Sequence, residues 1–476
     1  MLDIRDLTRQ MTTEEYETFY SSLANKKAEK SIKLLELLRD SDKDDHQIAD
    51  ILQVNSTAYY TLRSRLNDKM QEFLLQKVKG SKVEILEKVN NIDYILFNYN
   101  KTQAINIIKK LENELIKFEK PTYLISVYDA LKRLHKSSPH YYNYSQQYNQ
   151  HVAFLLDYDK IIELYGDFIE TLGKYLLSKL PDDLEHVNLI LDQIDNQHNI
   201  RESHRMTVIQ SLAHISYQLF LLDEEQSKDL DPVEDILLNV YKIIDAHPDD
   251  VLYNNMKLLF DFLSFQYYHI HKIKKKEEEF YIVIQEDEIR FLNSFSFYTI
   301  PTLFLFSKVQ KHASQGKTEH LCEQMREEIA ALDIHKDDLI NFIHLHIYKA
   351  VCCYYSGDYK EATNYLSDIR NKVIFKAFPH VETEIKLFLS LNYYLMDEHE
   401  LCLSLLKSVG RKVLVHQHYD YENAKIFKKA IIAAINTSSR EKTEKLSRLK
   451  LEYKITNDGI YKLMPYIEVN DMFSRL

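Results

Sequence analysis

Apolar residues along this chain recur at three- and four-residue intervals over most of its length, the spacing of one helix face and not the alternation of a half-buried strand. The pattern predicts a helix over 14–24 and a second over 27–39 that carries Ile32, Leu34, Leu35, Leu37 and Leu38. A short third helix is expected over 46–53, and a long fourth from Ser56 to about Lys79. Thr12-Thr13-Glu14-Glu15 has the form of a capping box, the acidic linker 40–45 closes the second helix, and Gly80-Ser81 marks a boundary. From 82 to 180 the helical pattern continues, with breaks at 98–101, Lys120-Pro121 and Ser137-Ser138-Pro139. Pro181, Pro232, Pro248, Pro301 and Pro379 all fall between apolar-periodic segments, where proline starts or stops a helix without removing an interior hydrogen bond. With only 7 glycines and 8 prolines in 476 residues, the chain reads as all-α.

The clearest unit is 350–369, two amphipathic helices joined by Ser356-Gly357-Asp358. Ala350 and Ala362 sit where the helices must approach closely, Tyr359 and Leu366 fill the angle between them, and Gly357 supplies the permissive turn backbone. Moving forward by 40 residues pairs Ala350 with Ser390, Gly357 with Asp397, Ala362 with Cys402 and Leu366 with Leu406, small on small and large on large. Gln315-Gly316-Lys317 is a third, degenerate turn of the same kind. This pattern resembles the tetratricopeptide repeat (TPR), although a period near 40 exceeds the roughly 34 residues of the standard unit. The resemblance implies a curved α-solenoid, clearest over 338–410.

In such a repeat the concave side is lined by the first helix of each unit. Here those positions are Ile347, Val351, Tyr354, Tyr355, Leu387, Leu391 and Tyr394. They form an apolar and aromatic face, suited to an amphipathic helix or an extended apolar peptide of a partner protein, or alternatively to burial between units. The lysines and asparagines with which TPRs clamp a terminal carboxylate are missing from these places. Residues 437–476 change character: a charged helix to about Lys454, the turn Asn457-Asp458-Gly459, then IYKLMPYIEVNDMFSRL. This tail is expected to dock on the end of the array, because a terminal repeat needs its apolar face covered.

Residues 47–66, QIADILQVNSTAYYTLRSRL, resemble the helix-turn-helix of bacterial regulators: Ile48, Ala49, Leu52, Val54 and Leu62 occupy its apolar positions. The resemblance implies that the helix from Ser56 enters a major groove, with Asn55, Thr57 and Tyr60 near bases and Arg63, Arg65 and Lys69 on phosphates. Three features depart from the family. Gln53 stands at the turn glycine, bulky Tyr59 at a position usually small and β-branched, and the acidic linker 40–45 close to where a phosphate backbone would run. If Arg63 and Arg65 serve DNA they should lie exposed; if they serve packing they should pair with that linker.

Composition adds limits. A net charge of −11 argues against a surface given over as a whole to nucleic acid or anionic membrane, and leaves room only for a local basic face. No apolar run approaches the roughly 18 residues of a membrane span. Cys322, Cys352, Cys353 and Cys402 have neither metal-ligand nor disulfide-framework spacing and read as core residues of a reducing, cytoplasmic compartment. The 34 tyrosines accompany an excess of Lys, Asn and Ile, the signature of AT-rich coding sequence, and Tyr141, Tyr144 and Tyr148 share a helix face best explained by packing. His269 with His271, His344 with His346 and His416 with His418 are spaced by two, which on a helix turns the rings away from each other, so no metal is expected. The run 272–279 reads as a solvated helix with i,i+4 pairing. No phosphate loop or nucleophile elbow occurs, so no catalytic residue or cofactor is expected.

The reading is therefore an N-terminal helical module over 1–80, a helical repeat array over 81–436 and a docking tail over 437–476. The expected function is a non-enzymatic scaffold that binds a partner's peptide or helix. The alternative is a transcriptional regulator with a DNA-binding N-terminus and a ligand-sensing repeat region.

Overall fold

The computed structural model describes residues 4–5, 8, 11, 13–25, 28–41, 43–77, 83–116, 119–201, 203–222, 230–248, 250–415, 421–436 and 439–476. Helix accounts for 81% of the structure and no strand occurs among the described residues, so the protein is all-α. Compactness divides the chain into two units, 1–151 and 152–476. That division falls about 70 residues later than the boundary expected at Gly80-Ser81, which itself lies outside the described residues, as do the capping threonine Thr12 and the pair His416 and His418.

In the first unit, α1 (Thr13–Asn25), α2 (Glu29–Asp40), α3 (Asp45–Ile51) and α4 (Ser56–Lys77) enclose a core of Phe19, Leu23, Leu34, Leu35, Leu38 and Ile48 with Tyr59, Leu66 and Met70. A second core in the same unit is built by α5 (Val83–Asn90), α6 (Ile92–Asn98), α7 (Lys101–Ile116), α8 (Pro121–Leu134) and the first turns of α9 (His140–Ser178). The helix breaks fall where proline or a polar run predicts them, and Pro121 opens α8. Tyr144 and Tyr148 lie half-buried against this second core, Tyr144 stacked on Tyr128 and Tyr148 under the Lys132 ammonium, so their shared face serves packing.

The second unit continues with α10 (Pro181–Ile200), α11 (His204–Leu221), α12 (Val233–Ala246), α13 (Val251–Ile270), α14 (Lys274–Glu286), α15 (Glu288–Ser294), α16 (Leu303–Ser314) and α17 (Leu321–Ile329). It ends with α18 (Leu339–Tyr355), α19 (Tyr359–Lys372), α20 (Pro379–Leu395), α21 (His399–Val415), α22 (Glu422–Asn436), α23 (Ser439–Thr456) and α24 (Val469–Ser474). Consecutive helices pack as neighbours, α18 on α19, α20 on α21 and α22 on α23. The paired positions behave alike: Ala350 and Ser390, Ala362 and Cys402, Leu366 and Leu406 are all fully buried. All four cysteines are free and buried, and Cys322 meets Cys353 sulfur to sulfur at 2.7 Å.

The turns repeat more faithfully than the sequence. Lys272 (φ 57°), Gly316 (φ 69°), Gly357 (φ 80°) and Asp397 (φ 61°) each stop a helix in the left-handed conformation. At each, the N–H of the left-handed residue donates three residues back and the next N–H donates five back, as in Gly357 to Tyr354 and Asp358 to Cys353, and in Asp397 to Tyr394 and Glu398 to Tyr393. The paired bonds satisfy carbonyls that a helix end would otherwise leave open.

The charged run after Lys272 departs from expectation. Lys276 bonds the Tyr268 hydroxyl at 2.9 Å, Glu277 takes His269 at 3.0 Å, and Glu278 takes Lys311 at 2.5 Å. These charges tie α14 to its neighbours instead of pairing along its own surface, because the hairpin places residues from two other helices nearer than the i,i+4 partner.

The turn geometry gives a reciprocal prediction. Open space surrounds the Cβ position at Gly357, so Gly357→Ala costs only conformational strain, about 1 kcal/mol. Asp397→Gly relieves the same strain and raises stability by up to about 1 kcal/mol. Urea unfolding midpoints of the two variants should move in opposite directions; movement in the same direction would refute the account.

Candidate functional site

In the first unit, α3 starts on a capping box in which the Gln47 N–H donates to the Asp44 carboxylate at 2.9 Å and the Asp44 N–H to the Gln47 side chain at 3.2 Å. Gln53 then takes φ 52°, so a non-glycine residue supplies the left-handed stop. Its N–H donates to Asp50 and that of Val54 to Ala49, the same pair of bonds as in the second unit. Asn55 caps α4 by accepting the Ala58 N–H at 2.8 Å. Ile48, Ala49, Leu52 and Tyr59 are buried, with Leu62 and Val54 half-buried on the same core.

Tyr59, expected as a misfit, is 1% exposed and donates its hydroxyl to Asp45 at 2.8 Å. Burial and the Asp45 carboxylate push its phenol up to about 12. The second oxygen of Asp45 takes the Arg63 guanidinium at 2.5 Å. Arg63 therefore pairs with the acidic linker, the arrangement expected of a packing role, and the Asn55 side-chain oxygen accepts the helix-cap hydrogen bond. Thr57, Tyr60 and Arg65 are exposed, and with Ser56, Thr61 and Ser64 they line one shallow concavity. Arg65 makes no ion pair among the described residues, and Lys69 is half-buried a turn further on. The hydroxyls of Thr61 and Ser64 were legible at helical spacing from Thr57 and Tyr60, as residues on the same face.

In the second unit the expected concave face is not open. Ile347, Val351, Tyr354, Tyr355, Leu387 and Leu391 are each 6% exposed or less, and Tyr394 is half-buried. The chain's own segment 463–476 lies on it. The Tyr354 hydroxyl donates to Asp471 at 3.1 Å, the Tyr355 hydroxyl accepts the Glu468 N–H at 3.0 Å, and the Tyr394 hydroxyl donates to the Leu476 carbonyl at 2.8 Å. Arg475 lies over the Tyr354 ring, bonds the Tyr359 hydroxyl at 2.9 Å and pairs with Asp471. Tyr466 stacks on Phe306, and Phe473 packs against Phe427 and Tyr453. The tyrosines expected to meet a partner peptide meet this segment, because buried phenol hydroxyls need partners and the segment supplies them.

The segment enters through a polar knot. Asn457 donates to and accepts from the backbone of Leu463, and Asn423 bonds both Asn457 and the Tyr461 carbonyl. Met464, in the left-handed conformation at φ 49°, donates its N–H to the Glu384 carboxyl at 2.6 Å. Glu384 also faces His380 at 3.9 Å. Burial pushes Glu384 up to about 7 and holds His380 and His344 down to about 3; burial also lowers Lys179 to about 8.

The histidine pairs are spent on protein partners: His269 on Glu277 and Gln310, His344 on Thr302, His346 on Phe342 and Asp368. Among the described residues no group of three His, Cys, Asp or Glu side chains could hold a metal ion, and no helix is long and apolar enough to cross a membrane. No protein-family model, no curated protein and no solved structure matches this chain.

The raised carboxyl generates a pH prediction. The neutral form of Glu384 contributes stability that is full below its ordinary value of 4.5 and is lost as pH rises to about 7. Glu384→Gln keeps the acceptor for Met464 without the charge. Its melting temperature should match the parent near pH 5 and exceed it near pH 8, by on the order of 2 kcal/mol in stability. A gap that does not widen between those two pH values would rule out the buried carboxylate as its cause.

Proposed function

We propose that the chain binds duplex DNA through the face of α4 that carries Thr57, Tyr60, Thr61, Ser64 and Arg65, and that it acts as a transcriptional regulator. The observation that carries this reading is the composition of that face. Its first turns hold hydroxyls, a phenol and a guanidinium, all exposed at the start of a helix that a tight turn and the Asn55 cap hold in place, with Asp68 following one turn further on. Such side chains hydrogen-bond phosphates and base edges, and a helix of this kind fits a major groove. The acidic linker is a weaker obstacle than its charge suggests, because Asp45 is internally neutralised by Arg63. With an overall charge of −11, binding must rest on this local face.

Fluorescence anisotropy of labelled duplexes drawn from a randomised pool tests the reading. Binding should be strongest at low salt and weaken steeply as salt rises. Arg65→Glu should abolish it, and Tyr60→Ala should lower affinity by about 1–3 kcal/mol. Arg63→Ala should instead act through the Asp45 pair, a loss of up to about 1 kcal/mol of stability. Absence of binding by the intact chain at low salt would end the proposal.

A second reading rests on the filled groove of the second unit: a TPR-like scaffold whose α18 and α20 face takes a partner's segment with the chemistry of 463–476. Deletion of 469–476 leaves the Met464 anchor in place and uncovers Tyr354 and Tyr394. A synthetic 463–476 peptide should then bind the shortened chain in trans and fail to bind the intact one. Equal behaviour of the two chains would remove this reading.

A further inference from the structure

We propose that a groove in the second unit binds a linear aliphatic polyamine. The groove encloses about 800 Å³, a volume suited to a small molecule. It runs along one face of α9 and is closed on its other side by 296–300 and 337–341. The proposal stands apart from DNA binding and survives or fails on its own.

The rim on α9 is acidic. Glu163, Asp167 and Glu170 line the groove at i, i+4 and i+7, all exposed, and the helical rise separates them by about 6 and 4.5 Å along the axis. Extended four- and three-carbon spacers set successive amines at about the same intervals, so one chain can offer an ammonium to each carboxylate while its methylenes run between them. Three of the six charged side chains that line the groove are already engaged: Lys174 with Asp183 at 2.6 Å, Asp337 with His335 at 3.0 Å, and Asp338 with the Asn341 amide. Glu163 is held only loosely, by Lys160 at 3.5 Å. Asp167 and Glu170 make no ion pair among the described residues.

Three further features point to a cation with an apolar body. Phe297 is 47% exposed and lines the groove. Its ring lies directly on Gly166, where a Cβ would meet the ring at 3.2 Å, so glycine is what lets an aromatic face sit among the carboxylates of α9. An exposed ring beside carboxylates attracts an organic ammonium through its negative face. The floor is apolar, with Ile300 and Ile340, and matches methylenes better than it matches a hydrated metal ion. Thr299, which also lines the groove, is 1% exposed, and its hydroxyl has no hydrogen-bond partner. Such a group is costly to leave unsatisfied, and an amine entering the floor would satisfy it.

Isothermal titration of the full chain with spermidine at moderate salt is the test. One equivalent should bind with a dissociation constant in the range of about 1–100 μM. Asp167→Asn with Glu170→Gln should weaken it about tenfold or more, and Phe297→Ala severalfold, the latter being an exposed change that leaves the helix intact. Neutralising Asp245 and Glu279, exposed carboxylates elsewhere in the unit, should leave affinity unchanged. Magnesium should compete poorly. The proposal is overturned if wild-type protein gives no heat up to about 1 mM spermidine, if the distant double variant loses as much as the rim variant, or if magnesium displaces spermidine at equal charge.

Discussion

Five helix ends among the described residues are stopped by a left-handed residue while two N–H groups reach back to the last carbonyls. The device appears at Lys272, Gly316, Gly357 and Asp397 in the second unit and at Gln53 in the first. It costs conformational strain wherever the residue is not glycine, yet it leaves fewer helix-end carbonyls unsatisfied and fixes the direction in which the next helix starts. The helices on either side of the Gly357 and Asp397 turns pack on each other, and the small residues Ala350, Ala362, Ser390 and Cys402 are all buried there. The same constraint at Gln53 sets α4 on α3 and thereby decides which side of α4 faces out.

The tyrosines of the second unit show how the groove depends on what fills it. A phenol is comfortable in a core only if its hydroxyl finds a partner. Tyr354, Tyr355 and Tyr394 find theirs in Asp471, Glu468 and Leu476, residues more than 80 positions away. Apolar burial of Tyr466, Met472 and Phe473 supplies the driving force, and the hydroxyl pairs supply the register. Segment and groove are parts of one core, so any partner for that face must offer equivalent acceptors or leave the phenols unsatisfied.

Much of this was legible in the sequence. The helical periodicity gave the all-α class and the 40-residue offset matched buried position to buried position, whereas the tail expected on the end of the array lies against Tyr354, Tyr355 and Tyr394. Other features were not legible, because they depend on contacts between distant residues. Nothing local to Tyr354 marks its hydroxyl as belonging to Asp471, and nothing in the run 272–279 says that its charges reach Tyr268, His269 and Lys311. Gln53 looked like a poor turn residue because sequence records identity and not φ. Arg63 and Arg65 looked equivalent, and only the placement of Asp45 separates them. The acidic rim on α9 was invisible as a site, since Phe297 and Thr299 reach it from another part of the chain.

The separation of Arg63 from Arg65 illustrates how charge should be read in a protein of this balance. Net charge counts every ionised group, whereas a ligand meets only the groups the fold has not already neutralised. Asp45 is spent on Tyr59 and Arg63, so the acidic linker loses part of its field and the concavity at the start of α4 has Arg65 as its charge, one turn before Asp68. Asp183 is spent on Lys174 and Ser178, which leaves the carboxylates of Asp167 and Glu170 along α9 without a fixed cation. Internal pairing thus produces opposite residual charge at two places on a chain whose overall sign is negative. At the protein surface, where separated charges are screened within about 10 Å, the unspent groups decide which ligands are attracted.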